Sequence, residues 1–560
     1  LGGASYAAEY NTAIGTNAGG AITTGGVNVF VGSNCGDATT TGVGNAAVGQ
    51  EALGTNTSGG YNAALGYNAL KLNETASNNT AVGYNALAAN TTGSPNTAVG
   101  HNALDACTTG GNNNALGKDA LGVLTTGSYN NAFGVSALAA ATSQAASNAF
   151  GHNALDVATD GQHNNAFGAE ALGACTTGSY NCAFGGDALG ALTTASNNTA
   201  VGDDAGKAVV TGTGNTFMGA NAGAATTGSD STAVGYNAMT ANTTGINVAM
   251  GIYALDANTT GTSNTALGIN ALGTNVAGDQ STAVGHEALA TQNPSGNADM
   301  NNTAIGYRAG YVLSTATNNN LFGAGAGDAI TTGAQNVAIG NNALGAATTT
   351  SGNIAIGNNT IDAGTDGVQN CIGIGSDALG ALTASGGTTG TAPSIGIGYA
   401  ALGAATTGTA NIAIGAWTMD AVVTGANNIA MGNGALGVLT SGASNIAIGS
   451  FAGDALTTSS DNTLIGNNAG GAIDTGASNT VMGSAAGDAL TSGHNNVYVG
   501  VNAGGTATTA GYNICIGDGA GNGGTTTGDY NIVMGNNGAG ALTSGNNNVI
   551  IGQSAGDAIA

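Results

Sequence analysis

The chain has 560 residues, of which 102 are Gly and only 3 are Pro, with 6% charged residues; this is unlike the mixture of an ordinary globular domain. Its 29 acidic residues stand against 4 basic ones, for a formal net charge of −25, which excludes a basic stripe for nucleic acid and disfavours anionic membrane surfaces. Hydrophobic residues make up 42% and recur in phase, which excludes a disordered chain, and the apolar runs are too short to span a bilayer.

From Asn11-Thr12-Ala13-Ile14-Gly15 onward one pattern repeats. Its marker glycines, among them Gly83, Gly100, Gly117 and Gly134, fall 17 residues apart; the beat holds from Gly15 to Gly202 and again from Gly398 to Gly517. The unit Asn79-Thr80-Ala81-Val82-Gly83-Tyr84-Asn85-Ala86-Leu87-Ala88-Ala89-Asn90-Thr91-Thr92-Gly93 is typical. The aliphatic before the marker, Val82 or Val99, and the Thr two places earlier predict a short strand with those two on one face and Ala on the other. The next cluster, Asn85-Ala86-Leu87 or Asn102-Ala103-Leu104, predicts a second strand, and Thr-Thr-Gly predicts a turn. Each unit is thus expected to hold two strands and two corners.

A unit this short suits neither helical hairpins nor propeller blades. It fits one coil of an all-β, parallel β-solenoid (β-roll) that occupies residues 1–560 as a continuous array of about 32 coils. At about 4.8 Å per coil, such an array would be on the order of 150 Å long. Stacking turns each position into a column: the aliphatics are expected to form the core, and the asparagines at the strand start and after the marker to form amide ladders. Five residues past the marker the sequence places Asp420, Gly437, Asp454, Gly471, Asp488 and Gly505 in successive units, so that like charges avoid direct stacking. An outward Ala face would pack against other chains, which predicts a homo-oligomer, a trimer first, or an end-to-end filament.

The beat is interrupted in three places. Spacing shortens to 16 across 219–251. Insertions follow near 286–305, with Gln292, Asn293 and Pro294, and near 376–397, with Thr388, Thr389 and Pro393. A receptor site on a uniform repeat needs such irregularity, so these six residues are the candidate ligand contacts. Trp417, the only tryptophan, and Arg308 are further candidates.

The segment Asn79-Thr80-Ala81-Val82-Gly83-Tyr84-Asn85-Ala86-Leu87 resembles the head repeats of trimeric autotransporter adhesins of the YadA type and the related repeats of phage tail-fibre proteins. The adhesin repeat is shorter, and this unit adds residues around Thr91-Thr92-Gly93. The resemblance implies a left-handed trimeric β-roll on a cell or virion surface that binds host or matrix, and it carries over no specific binding residue.

Catalysis is not expected. His101, His152, His163, His286 and His494 complete no Ser-His-Asp or His-Cys pattern, and no cofactor or metal motif is present. The six cysteines, Cys175 and Cys182 being the only close pair, show no metal spacing. The expected function is a structural and adhesive fibre of a virion or bacterial surface, extracellular, with itself and a host-surface glycan or protein as partners. A self-assembling extracellular filament is the alternative, and an ice-binding solenoid built on the Thr91-Thr92 columns a lower one.

Overall fold

In the computed structural model, residues 8–363, 367–383, 393–523 and 527–557 are described. Among them the chain is all strand and turn, without helix, and it folds as a parallel β-solenoid of about 31 turns. Two compact units divide it, Leu1–Ala277 and Gly278–Ala560. In the first, strands stack from Thr12–Ile14 to Asn264–Leu267; in the second, from Thr282–Val284 to Val549–Ile551.

Each coil contributes one main strand, such as Thr80–Val82 or Asn96–Val99. Neighbours pair in parallel with like over like: Thr80 opposite Thr97, Ala81 opposite Ala98, Val82 opposite Val99. The marker glycines permit this closeness. Gly100 has φ +142°, and a Cβ there would run into the Gly117 carbonyl of the next coil.

The second strand expected at Asn-Ala-Leu does not form. Asn85 and Leu87 both take left-handed φ, 53° and 54°, as do Asn102 and Leu104 at 53° and 54°. Alternating the hand of the backbone curls this segment into turns, and its amides point up and down the stack. Asn85 N–H donates to Tyr67 O of the preceding coil and Leu87 N–H to Ala103 O of the following one, each at 3.0 Å. Pairing between coils is therefore kept without extension.

The two faces of the strand are the reverse of the expectation. The middle residue, Ala81 or Ala98, is fully buried, whereas Val82 and Val99 are half-buried on the outside. Core space is supplied by that Ala together with Ala86 and Leu87 and a corner residue such as Asn90, Cys107 or Leu124. The aliphatic columns of the strand are an outer surface.

Core volume is conserved within and between coils. Where the strand centre is Phe30, Phe217 or Tyr498, the Leu position four past the marker is Gly36, Gly223 or Gly504. A Cβ on Gly36 would lie 2.6 Å from the Phe30 ring, and one on Gly504 2.6 Å from Tyr498. The preceding coil yields as well, since a Cβ on Gly206 would lie 2.6 Å from Phe217. Large and small side chains thus alternate to fill one narrow interior at native density.

Both asparagine ladders are formed. At the strand start, Asn113 donates Nδ2–H to Gly127 O at 2.9 Å, and its Oδ1 accepts from Asn130 N–H and Nδ2–H, each at 3.1 Å. This ladder is buried, so it satisfies main-chain groups that water cannot reach. After the marker, Asn68 donates to Asn85 at 3.1 Å and Asn85 to Asn102 at 3.4 Å on the outside.

Irregular coils leave the register intact. Across the shortened coils Thr216 pairs with Thr232 and Thr232 with Val248. Across the insertions Thr282 pairs with Thr303 and Ile372 with Ile395.

Candidate contact surfaces

The first insertion begins one residue later than its sequence suggests. Gln292 is fully buried, at the corner that Asn258 and Asn275 fill in the preceding coils. Its Oε1 accepts from Asn302 Nδ2–H at 3.0 Å, and its Nε2–H donates to Ser281 Oγ at 3.0 Å. Gln292 is thus core, out of reach of a surface ligand. Asn293 is exposed and Pro294 half-buried, and Ser295, Gly296 and Asn297 are exposed. A Cβ on Gly296 would meet nothing within 4 Å. The loop is anchored at its far end by the short parallel pair Gly278–Asp279 and Ala298–Asp299, with Gln280 Nε2–H donating to Asp299 at 2.7 Å.

Of the second insertion, Pro393 is exposed, and Thr388 and Thr389 lie outside the described residues. The markers Gly83, Gly100, Gly117 and Gly134 line up as one column with φ from +138° to +146°. Arg308 reaches Glu287 at 3.2 Å and sits 3.8 Å above the Tyr311 ring, and Trp417, half exposed, meets Tyr399 edge-on at 5.6 Å.

The column five past the marker holds a row of half-buried carboxylates. Burial pushes Asp105, Asp156, Asp256, Asp328, Asp362, Asp420, Asp454 and Asp488 above the ordinary carboxyl range. Their neighbours in the column are small: Asp420 packs over Gly403 and Asp488 against Gly505. Shallow grooves run beside this column, one of about 410 Å³ by Asp156, Glu170 and Asp187. Among the described residues, no group of three or more His, Cys, Asp or Glu is placed to hold a metal ion.

The other reactive groups are spoken for. The cysteines are all free thiols, so Cys175 and Cys182 do not bridge, and burial pushes Cys35, Cys107 and Cys175 up to about 11, away from nucleophilic character. In the first Thr column Thr91 Oγ1–H donates to Thr108 O at 3.1 Å and Thr108 Oγ1–H to Thr125 O at 3.1 Å, so those hydroxyl hydrogens serve the stack, while the neighbouring column of Thr92, Thr109 and Thr126 is exposed.

The surface that sequence reasoning missed is the outer strand face. In the first unit it mixes Thr and Asn with aliphatics and includes a ladder of Phe133, Phe150, Phe167 and Phe184 with centroids 4.7, 4.5 and 4.4 Å apart. In the second it becomes aliphatic in both columns from Val337–Ile339 onward, apart from Thr463 and Thr480. The signal was present in the pairs Phe30 with Gly36 and Tyr498 with Gly504, which show that the strand centre shares space with the interior. No family model matches the chain, and no curated protein matches it.

Proposed function

We propose that the chain is a structural and adhesive repeat protein of an extracellular fibre, of the kind borne by virions or bacterial surfaces, and that it attaches to a host or matrix surface without catalysis. One observation carries the reading: changes of coil length are confined to the turns, and every strand on either side stays in register. A chain selected to keep its stack while varying its corners is built to carry surface features at fixed positions. The loop 293–297 is the described corner that departs furthest from the repeat and is the proposed contact. The purified chain on beads tests this against panels of glycans and of bacterial and animal cell surfaces. Retention on at least one class is expected, weakened roughly tenfold by deletion of 293–297, the loss of about one or two contact side chains. Equal retention with and without the loop would remove it as the contact, and no retention on any surface would remove the adhesive reading.

A further inference from the structure

In the second unit the outer strand face from Val337 to Ile551 is an apolar wall, broken in one column only by Thr463 and Thr480. Ile412, Ile429 and Ile446 follow one another in one column and Ile414, Met431 and Ile448 in the other. Among the described residues no charged side chain enters either column between Val337 and Ile551. These side chains shield one another along the stack: Met431 and Ile448 still present 38% and 37% of their surface, and Ile412, Ile414, Ile429 and Ile446 are half-buried. A monomeric surface seldom leaves so large a contiguous apolar patch in water.

Size and pitch identify what would cover it. Thirteen strands run from Val337–Ile339 to Val549–Ile551. A strip about 10 Å wide and roughly 60 Å long follows from the spacing of residues and strands, a footprint of on the order of 600 Å². Two such faces together exceed the roughly 1,000 Å² that a specific interface requires. The main-chain hydrogen bonds fix the side-chain rows about 4.8 Å apart. A second copy has rows at the same pitch, so its side chains meet the gaps in this wall coil after coil, as in packed cross-β sheets. Charge does not oppose the approach, because the carboxylates lie on other columns and are screened beyond a Debye length of about 8 Å. Along one rim the residue after each marker is mostly Asn or Ser, as at Asn433 and Ser450, giving the polar border of a protein interface.

We propose that a second copy of this chain packs on the aliphatic strand face of the second unit, sheet against sheet. This rests on the structural reading above and names its partner. The test is the mass of the full chain in solution by light scattering across a dilution series, for the wild type and two variants. The first combines Ile412→Thr, Ile429→Thr and Ile446→Thr; Thr463 and Thr480 already occupy that column, so the coil accepts the change. The second is Ile414→Asp. The wild type is expected at two or more times 52.7 kDa, with self-association weakened by roughly a hundredfold or more in the variants and the strand signal in circular dichroism retained. If the Asp variant loses that signal, the triple Thr variant decides alone. A wild type of one-chain mass at every concentration, or an assembly that the folded variants do not weaken, overturns the proposal. One-chain particles that still bind a surface would overturn the pairing alone, whereas paired particles that bind none would remove only the adhesive reading.

Discussion

Phe217 stands where most coils have Ala, and its ring fills the space that Leu takes four residues past the marker in those coils. Truncating it leaves an interior hole flanked by Gly206 and Gly223, neither of which has a side chain to collapse into it. Phe217→Ala should therefore cost about 3–5 kcal/mol. Gly206→Leu and Gly223→Leu would by themselves overfill the coil at about 1–3 kcal/mol. Combined with Phe217→Ala they should recover at least half of the loss, because Leu189 in the same column adopts φ 53°, close to the 61° and 62° of the two glycines. Denaturant unfolding of the set gives the coupling directly. Additive losses would mean that the strand centre and the Leu column do not share one cavity.

The buried asparagine ladder is the element that binds one coil to the next beyond the strand itself, and its tolerance is written into the chain. Ser147 replaces Asn in that column, accepting from Asn164 N–H at 3.2 Å. Removing the side chain at Asn113 orphans Asn130 N–H and Gly127 O, both away from water. Asn113→Ala should cost about 2–4 kcal/mol and speed hydrogen exchange at the Asn130 amide, whereas Asn113→Ser should cost less than half as much. Equal losses for Ser and Ala would show that acceptance by the side chain is not what matters. This ladder was legible in the sequence because stacking makes columns of like residues, and the strand was legible for the same reason. The turn at Asn-Ala-Leu was not: Leu87 has no intrinsic preference for left-handed φ, and only the tight closure of the coil imposes it. Which face of Thr-Ala-Val points inward was also hidden, since both faces of that triplet can be buried and only the compensation between Phe30 and Gly36 resolves it. Gln292 could have been placed by counting seven residues from Gly285, the distance that puts Asn258 and Asn275 at the same corner; the Pro-containing insertion beside it drew it into the loop.

Across both units the carboxylates five past the marker follow one rule, which those elsewhere do not, since Glu170, Asp187 and Asp204 stand in three successive coils two past it. In the column five past the marker the first unit has Asp37, Asp105, Asp156 and Asp256 and the second Asp328, Asp362, Asp420, Asp454, Asp488 and Asp557, and no two occupy successive coils. Spacing them about 9.6 Å or more apart reduces repulsion, but burial still raises most of these carboxyls. The folded state consequently keeps their protons to a higher pH than the unfolded chain, whose Asp value is about 3.9. The resulting stabilisation is complete below that value and is lost as pH rises through the raised folded values, so acidification from neutral pH should stabilise the protein. The opposing groups are few. Lys71 with Glu51 at 2.6 Å and Lys207 with Asp187 and Asp204 at 3.1 and 2.8 Å are partly exposed, and such pairs contribute at most about 1 kcal/mol each. With 29 acids against 4 cations, the relief of buried and repelling carboxylates outweighs the loss of those pairs. The melting temperature is expected to rise by several degrees from pH 7 to pH 4, and the triple variant Asp420→Asn, Asp454→Asn, Asp488→Asn should raise it at pH 7 and flatten its dependence on pH. A melting temperature that falls on acidification, or a variant that melts below the wild type at pH 7, would mean that these carboxylates support the stack as charges and that the alternation serves another purpose.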